Sequence, residues 1–183
     1  MKLEERLAAM NVLYLDQGVD LLLRLDDTPF STSPEGLFRG GVGAQFRHCL
    51  DFYDCFLGGL AAGRVDYSAR RRDPLVETSR ERAVATARGL SARLLEIDAG
   101  EASRSLVVRS EDLSPRPGAP DWSGSTVGRE LQFLVSHTIH HYALIAAVLE
   151  LQGHDARREF PEFGVAPSTL NHWKEAGILA PGR

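Results

Sequence analysis

Cysteine is nearly absent from this chain, with two residues in 183. Cys49 and Cys55 stand six positions apart on what reads as one helix. That is about 9 Å along the axis at 1.5 Å per residue, too far for a mutual disulfide. The pair therefore reads as reduced core thiols. Long apolar runs are missing too, since no stretch approaches the roughly 18 consecutive apolar residues that cross a bilayer. The opening MKLEERLAAMN carries Glu4 and Glu5 where a secretion signal is basic and then continuously apolar, so a cytoplasmic protein is expected. An excess of one charge is also lacking. Twenty-one Lys and Arg face 25 Asp and Glu, for a formal net charge of -4. The one concentrated basic run, Arg70-Arg71-Arg72, is followed at once by Asp73 and reads as a solvated loop. Neither nucleic acid nor a membrane is expected as a partner. Internal repeats and low-complexity segments are absent as well.

What the chain has is helical periodicity. With 43% hydrophobic residues it can bury one substantial core, and a single domain over residues 1–183 is expected. Leu3, Leu7, Met10, Tyr14, Leu21 and Leu25 recur mostly at three- and four-residue intervals, which predicts a first amphipathic helix over 3–25. A polar loop with Pro29, Pro34 and Gly36 stops it. A second helix should run from about Val42 to Ala62, closed by Gly63. Thr78-Ser79-Arg80-Glu81 has the form of a capping box, and Ala83, Ala87, Leu90, Leu94 and Ile97 supply the stripe of a third helix. Ser105 to Arg109 is short and β-branched, a strand or extended connection, and Pro115, Pro117 and Pro120 keep helix out of the segment after it. A fourth helix begins at Ser125 or Thr126 and lasts to about Gln152, with Gly153 ending it. A last short helix spans Ser168 to Ala176, with Trp173 as its docking residue. The expected fold is all-α, a four-helix bundle with a short extended accessory segment and a small C-terminal helix. Gly40-Gly41-Val42-Gly43 follows no βαβ strand, so no phosphate cradle is expected there.

Three of the six histidines fall in SHTIHHYALIAAVLELQG, Ser136 to Gly153. On a wheel of 100° per residue, His141 lies about 40° from His137, with Phe133, Leu134, Leu144 and Val148 within about 60°. Both histidines thus read as the middle of the buried stripe, and His140 as its shoulder. The i, i+4 spacing brings two ring nitrogens one turn apart on one face, a chelating arrangement. The competing description makes each a core residue bonded to a carbonyl or carboxylate, at the cost of finding two separate buried partners. HxxxH without the Glu of HExxH is a weak motif alone, and the second helix offers a third ligand. In RHCLDFYDCFL, His48 shares an apolar face with Phe52, Cys55 and Phe56, while Cys55 lies about 10.5 Å further along the axis, too far to join it on one ion. His48, His137 and His141 would make a three-nitrogen site between two helices, with at least one coordination position left for water or substrate. Imidazoles suit zinc, nickel, copper or iron. Asp51, on the shoulder of its helix, His140, Glu130 and Tyr14 are candidates for lining a pocket or supporting the ligands. Glu130 reads first as a surface glutamate in its helix's first turn, and second as an acid near the mouth of a pocket. His154 and His172 belong to the tail and read as surface residues.

The histidine midway along the second helix, the late HxxxH and the following FGVAPSTL together resemble the DinB/YfiT superfamily of metal-dependent hydrolases and thiol transferases. The resemblance covers nearly the whole chain. It implies a four-helix bundle, often a homodimer, holding a divalent metal through three histidines, here His48, His137 and His141, with zinc or nickel foremost. It further implies a small-molecule substrate and a low-molecular-weight thiol as possible cosubstrate. The expected enzyme uses its metal to activate a thiol for transfer or water for hydrolysis. The alternative is a non-catalytic bundle that binds a metal or small ligand, or dimerises.

Overall fold

The computed structural model describes residues 3–33, 40–98, 100–110 and 122–178. The chain is mostly helical, 67% helix, with one small sheet. In chain order the elements are α1 (Leu3–Arg24), α2 (Asp27–Ser31), α3 (Val42–Gly59), β1 (Arg64–Asp66), α4 (Pro74–Thr78), α5 (Arg80–Leu95), a 3-10 turn (Glu101–Ser103), β2 (Ser105–Arg109), β3 (Ser123–Thr126), α6 (Val127–Leu151), α7 (Ala156–Glu159) and α8 (Pro167–Glu175). Pro34, Gly36, Pro115, Pro117 and Pro120 lie outside the described residues.

Helix α1 packs on α5 and α6, and α3 packs on the same two. Each contributes one apolar stripe at helical spacing. Leu15 and Leu22 come from α1, Phe46 and Tyr53 from α3, Ala87 and Leu94 from α5, and Leu131, Leu134 and Ile145 from α6, all fully buried. A large apolar side chain moved from water into such a core contributes about 1.5–3 kcal/mol. Gly18 permits a close approach of α1 to α3 and α6, because a Cβ there would collide with the Tyr142 hydroxyl and the Phe46 ring.

One buried polar group fixes the register of three helices. Asn11 Nδ2 donates to the backbone oxygens of Leu7 at 2.8 Å and Leu131 at 3.0 Å, Tyr53 Oη donates to Asn11 Oδ1 at 3.0 Å, and Thr138 Oγ1 lies 3.0 Å from Tyr53 Oη. Thr138 is the residue after His137, so the bond that holds α3 against α6 also decides which α3 side chain faces that histidine.

The termini of the predicted helices need several corrections. Helix α3 stops at Gly59 rather than Ala62, and a turn closed by Gly63, whose N–H donates to Leu60 O at 2.9 Å, leads into β1. The N-cap of α5 is Ser79, which accepts from Arg82 N at 3.2 Å, so the expected Thr78–Glu81 capping box is not the cap; Thr78 instead bonds back to Pro74 O within α4. Thr126 caps α6 as expected, accepting from Arg129 N. Trp173 is only half-buried, and α8 buries no residue fully.

The all-α expectation needs one amendment, since the extended segment is the middle strand of a sheet. The order is β1-β2-β3, with β1 parallel and β3 antiparallel to β2, and Val107 paired with both Arg64 and Gly124. Strand β3 runs directly into α6, so the sheet wall and the first turn of α6 form one corner. Among the described residues α6 alone is long and apolar enough to cross a membrane by length and composition; it packs against α1 and α3, and a third of its most apolar window is buried.

Candidate metal centre

His48 on α3 faces His137 and His141 on α6. The Nε2 atoms of His48 and His137 are 3.2 Å apart, and ring centroids lie 5.0 Å (48–137), 4.5 Å (48–141) and 4.5 Å (137–141) from one another. One ligand atom from each of the three falls within 4.8 Å of the others. All three rings are half-buried, which corrects the expected place of His137 and His141 in the middle of the stripe. The buried line of α6 runs through Leu131, Leu134, Thr138, Tyr142, Ile145 and Leu149. His137 and His141 flank it, where the helix leaves the core and can border open space.

Burial, then the charges of His141, His48, His140 and Arg70, pull the pKa of His137 down to about 3. Burial, then His48 and His140, lower that of His141 to about 4. Both imidazoles are therefore neutral at neutral pH, the form that ligates. The Nδ1 of His141 lies 2.7 Å from Gln45 Oε1. A carboxamide oxygen only accepts, so Nδ1 carries the proton and Nε2 keeps its lone pair. The buried Nδ1 of His137 has no hydrogen-bond partner, and its ring lies against Phe52, with centroids 4.1 Å apart and planes at 30°.

These residues fit a divalent cation. Ligand nitrogens at about 2.0–2.1 Å around a tetrahedral ion stand roughly 3.3–3.4 Å from each other, close to the separation of the two Nε2 atoms. Three imidazoles leave a fourth position to an outside ligand. The cysteines take no part. Burial raises both thiols, Cys55 to about 11 with Asp54 and Asp51 adding to the rise, so neither is a thiolate at neutral pH.

A cavity of about 480 Å3 borders His137, within the range of small-molecule pockets. Its apolar wall is Phe52, Tyr67, Val108 and Phe133, and its polar side is built from β3 and the start of α6. Glu130 belongs here and is not a surface glutamate. It is fully buried, its Oε2 accepting from Tyr67 Oη at 2.7 Å and its Oε1 from Ser125 Oγ and from Arg129 Nη1 at 3.1 Å.

The other candidates lie elsewhere. His140 is exposed and meets only the edge of His141, at 5.2 Å between centroids. Asp51 is buried but turned toward α4, bonded to Arg47 Nη1 at 2.7 Å, and Arg47 Nε reaches Glu77 at 2.8 Å. Burial raises the Asp51 carboxyl against the opposing pull of Arg47. Asp51 lines a separate, smaller cavity with Val76 and Arg82. Tyr14 is buried under the tail, its hydroxyl 3.5 Å from Val165 O. His172 is exposed, as expected, while His154 is half-buried; neither joins the cluster.

Gln45, Tyr67, Ser125, Arg129 and Phe133 escaped sequence reasoning as site residues. Gln45 and Phe133 left a signal, standing three residues before His48 and four before His137 and so on the ligands' own helical faces. Comparison of the chain with protein-family models, with curated proteins and with solved structures finds no match.

Proposed function

We propose that the chain is a metal-dependent enzyme of the DinB-like kind, a four-helix bundle in which His48, His137 and His141 hold a divalent cation, zinc or nickel. The reaction is transfer of a low-molecular-weight thiol to a small electrophile, or hydrolysis of a small molecule. One observation carries this reading: three half-buried imidazoles from two helices, two of them driven neutral by burial, converge beside a cavity of substrate size. A cation held there supplies Lewis acidity to a thiol or a water molecule.

The chain's own residues perform the remaining tasks. Gln45 holds the His141 ring in one tautomer, and Phe52 fixes the plane of the His137 ring. Phe52, Tyr67 and Phe133 keep water from the side of the cavity next to His137. The same reading makes the protein a cytoplasmic homodimer acting on a small molecule, with no nucleic acid or membrane partner. Its balanced charge and two reduced thiols agree with that.

A second reading, binding without turnover, is favoured by the state of Glu130. It is the one carboxylate among the described residues lining the cavity, and both its oxygens already accept hydrogen bonds. The deciding experiment is metal analysis of protein purified without a polyhistidine tag, beside His137→Ala. One equivalent in the parent and none in the variant is expected; no stoichiometric metal in either removes the proposal. Loss of free thiol is then followed with glutathione-like, bacillithiol-like and mycothiol-like donors and a model electrophile. No metal-dependent turnover with any donor leaves hydrolysis or binding.

A further inference from the structure

Two charged side chains line the cavity beside His137, and they are presented to it differently. Glu130 is fully buried and accepts from Tyr67, Ser125 and Arg129, so both its oxygens are already engaged. Arg129 makes one side-chain bond, through Nη1 to Glu130, and its side chain stays 62% exposed. Its guanidinium stands 5.3 Å from the centroid of Phe133, on the cavity wall. Arg70 sits 5.0 Å from the centroid of Phe52, the ring stacked on His137, and its charge is felt at that histidine. The charged group within reach of a ligand is therefore Arg129, whose guanidinium keeps further N–H donors while Nη1 is held by Glu130. Between Arg129 and His137 the surface is an angled aromatic wall, with Phe52 stacked on Tyr67 at 5.1 Å and Tyr67 tilted 57° against Phe133 at 5.5 Å between centroids.

We propose that this cavity binds a small carboxylate with an aromatic or similarly flat apolar body, its carboxylate on Arg129 and its far end beside His137. A planar guanidinium pairs with a planar carboxylate through charge-assisted bonds, and the ring wall removes the body from water. The inference rests on the proposed metal function only for what lies at the far end. Recognition of the anion needs Arg129 and the wall alone, and holds with or without a metal.

The test is fluorine NMR on the full chain, metal-free and zinc-loaded, with 4-fluorophenylacetate, 4-fluorobenzyl alcohol and 4-fluorophenethylamine as probes. The carboxylate should bind roughly 10-fold or more tighter than the alcohol, and the amine weakest. Arg129→Gln should lose about that factor, and Arg129→Lys should keep part of it. Gly124 lines the cavity, and a Cβ there would meet no atom within 4 Å. Gly124→Leu therefore has room for its Cβ, puts apolar bulk into the cavity without replacing Arg129 or a histidine, should abolish binding, and decides the matter if Arg129→Gln does not fold. The amine binding as well as the carboxylate, wild-type affinity in Arg129→Gln, or unchanged binding in Gly124→Leu would each overturn the proposal. A zinc titration of the same samples separates the two readings: carboxylate binding without zinc binding leaves the subsite and removes the metal enzyme, and the reverse removes only the subsite.

Discussion

Two polar clusters join α3 to α6 at neighbouring positions, and they are finished differently. In the first, Asn11, Tyr53 and Thr138 satisfy one another and the backbone, and all three are fully buried. In the second, His48, His137 and His141 face one another half-exposed, with the rings of His137 and His141 neutral and the His137 Nδ1 without a partner. A buried polar group that serves only stability closes on itself, because each unsatisfied group costs about 1–3 kcal/mol. A half-exposed group of converging ligand atoms beside such saturated neighbours is suited to a partner from outside. The first cluster supplies the rigidity that holds the second in place.

The sharpest way to break that contrast is to remove one member of each. His137→Ala should cost metal affinity about a thousandfold, roughly a third of the 10–16 kcal/mol typical of structural zinc, measured by competition with a chromophoric chelator. It should change the melting of the metal-free protein less than Asn11→Ala does. Asn11→Ala should lower stability by about 1–3 kcal/mol in denaturant unfolding, because Tyr53 and the Leu131 carbonyl lose their partner. Equal destabilisation by the two would erase the distinction.

A smaller effect comes from Gln45, which supports His141 by a hydrogen bond. Gln45→Ala should weaken metal binding by about 10–100-fold, while Gln45→Glu, which still accepts from Nδ1, should keep most of it. Separate from the metal is the effect of pH on the metal-free protein. His137 and His141 titrate near 3 and 4 when folded, against 6.5 for an ordinary histidine, so the unfolded chain takes up protons first. Their contribution is whole above about pH 7 and is lost as pH falls from about 6.5 toward 4 and 3. Stability of the parent minus that of a His137→Ala, His141→Ala double variant should trace this window, and a flat difference would contradict the burial argument.

How far the sequence alone reaches follows from the range of each interaction. The four long helices and the three histidines were readable because periodicity and i, i+4 spacing are local. Strands β1 and β3 were not: one has three residues, and the other, Ser-Gly-Ser-Thr, has no apolar alternation; both exist by pairing with β2. Glu130 read as a surface acid because its helix start is polar, and what buries it is Tyr67, 63 residues earlier in the chain. Tyr14 and Asp51 were rightly seen as inward-facing, but helical phase names a face without naming the neighbour. One found the tail and the other found Arg47.

The most direct measurement is anomalous diffraction at the zinc absorption edge from crystals of the tag-free protein grown with one equivalent of zinc. The account predicts a single peak about 2.0–2.2 Å from a ring nitrogen of each of His48, His137 and His141. A peak elsewhere, or none with His48 and His137 hydrogen-bonded to each other, would contradict it.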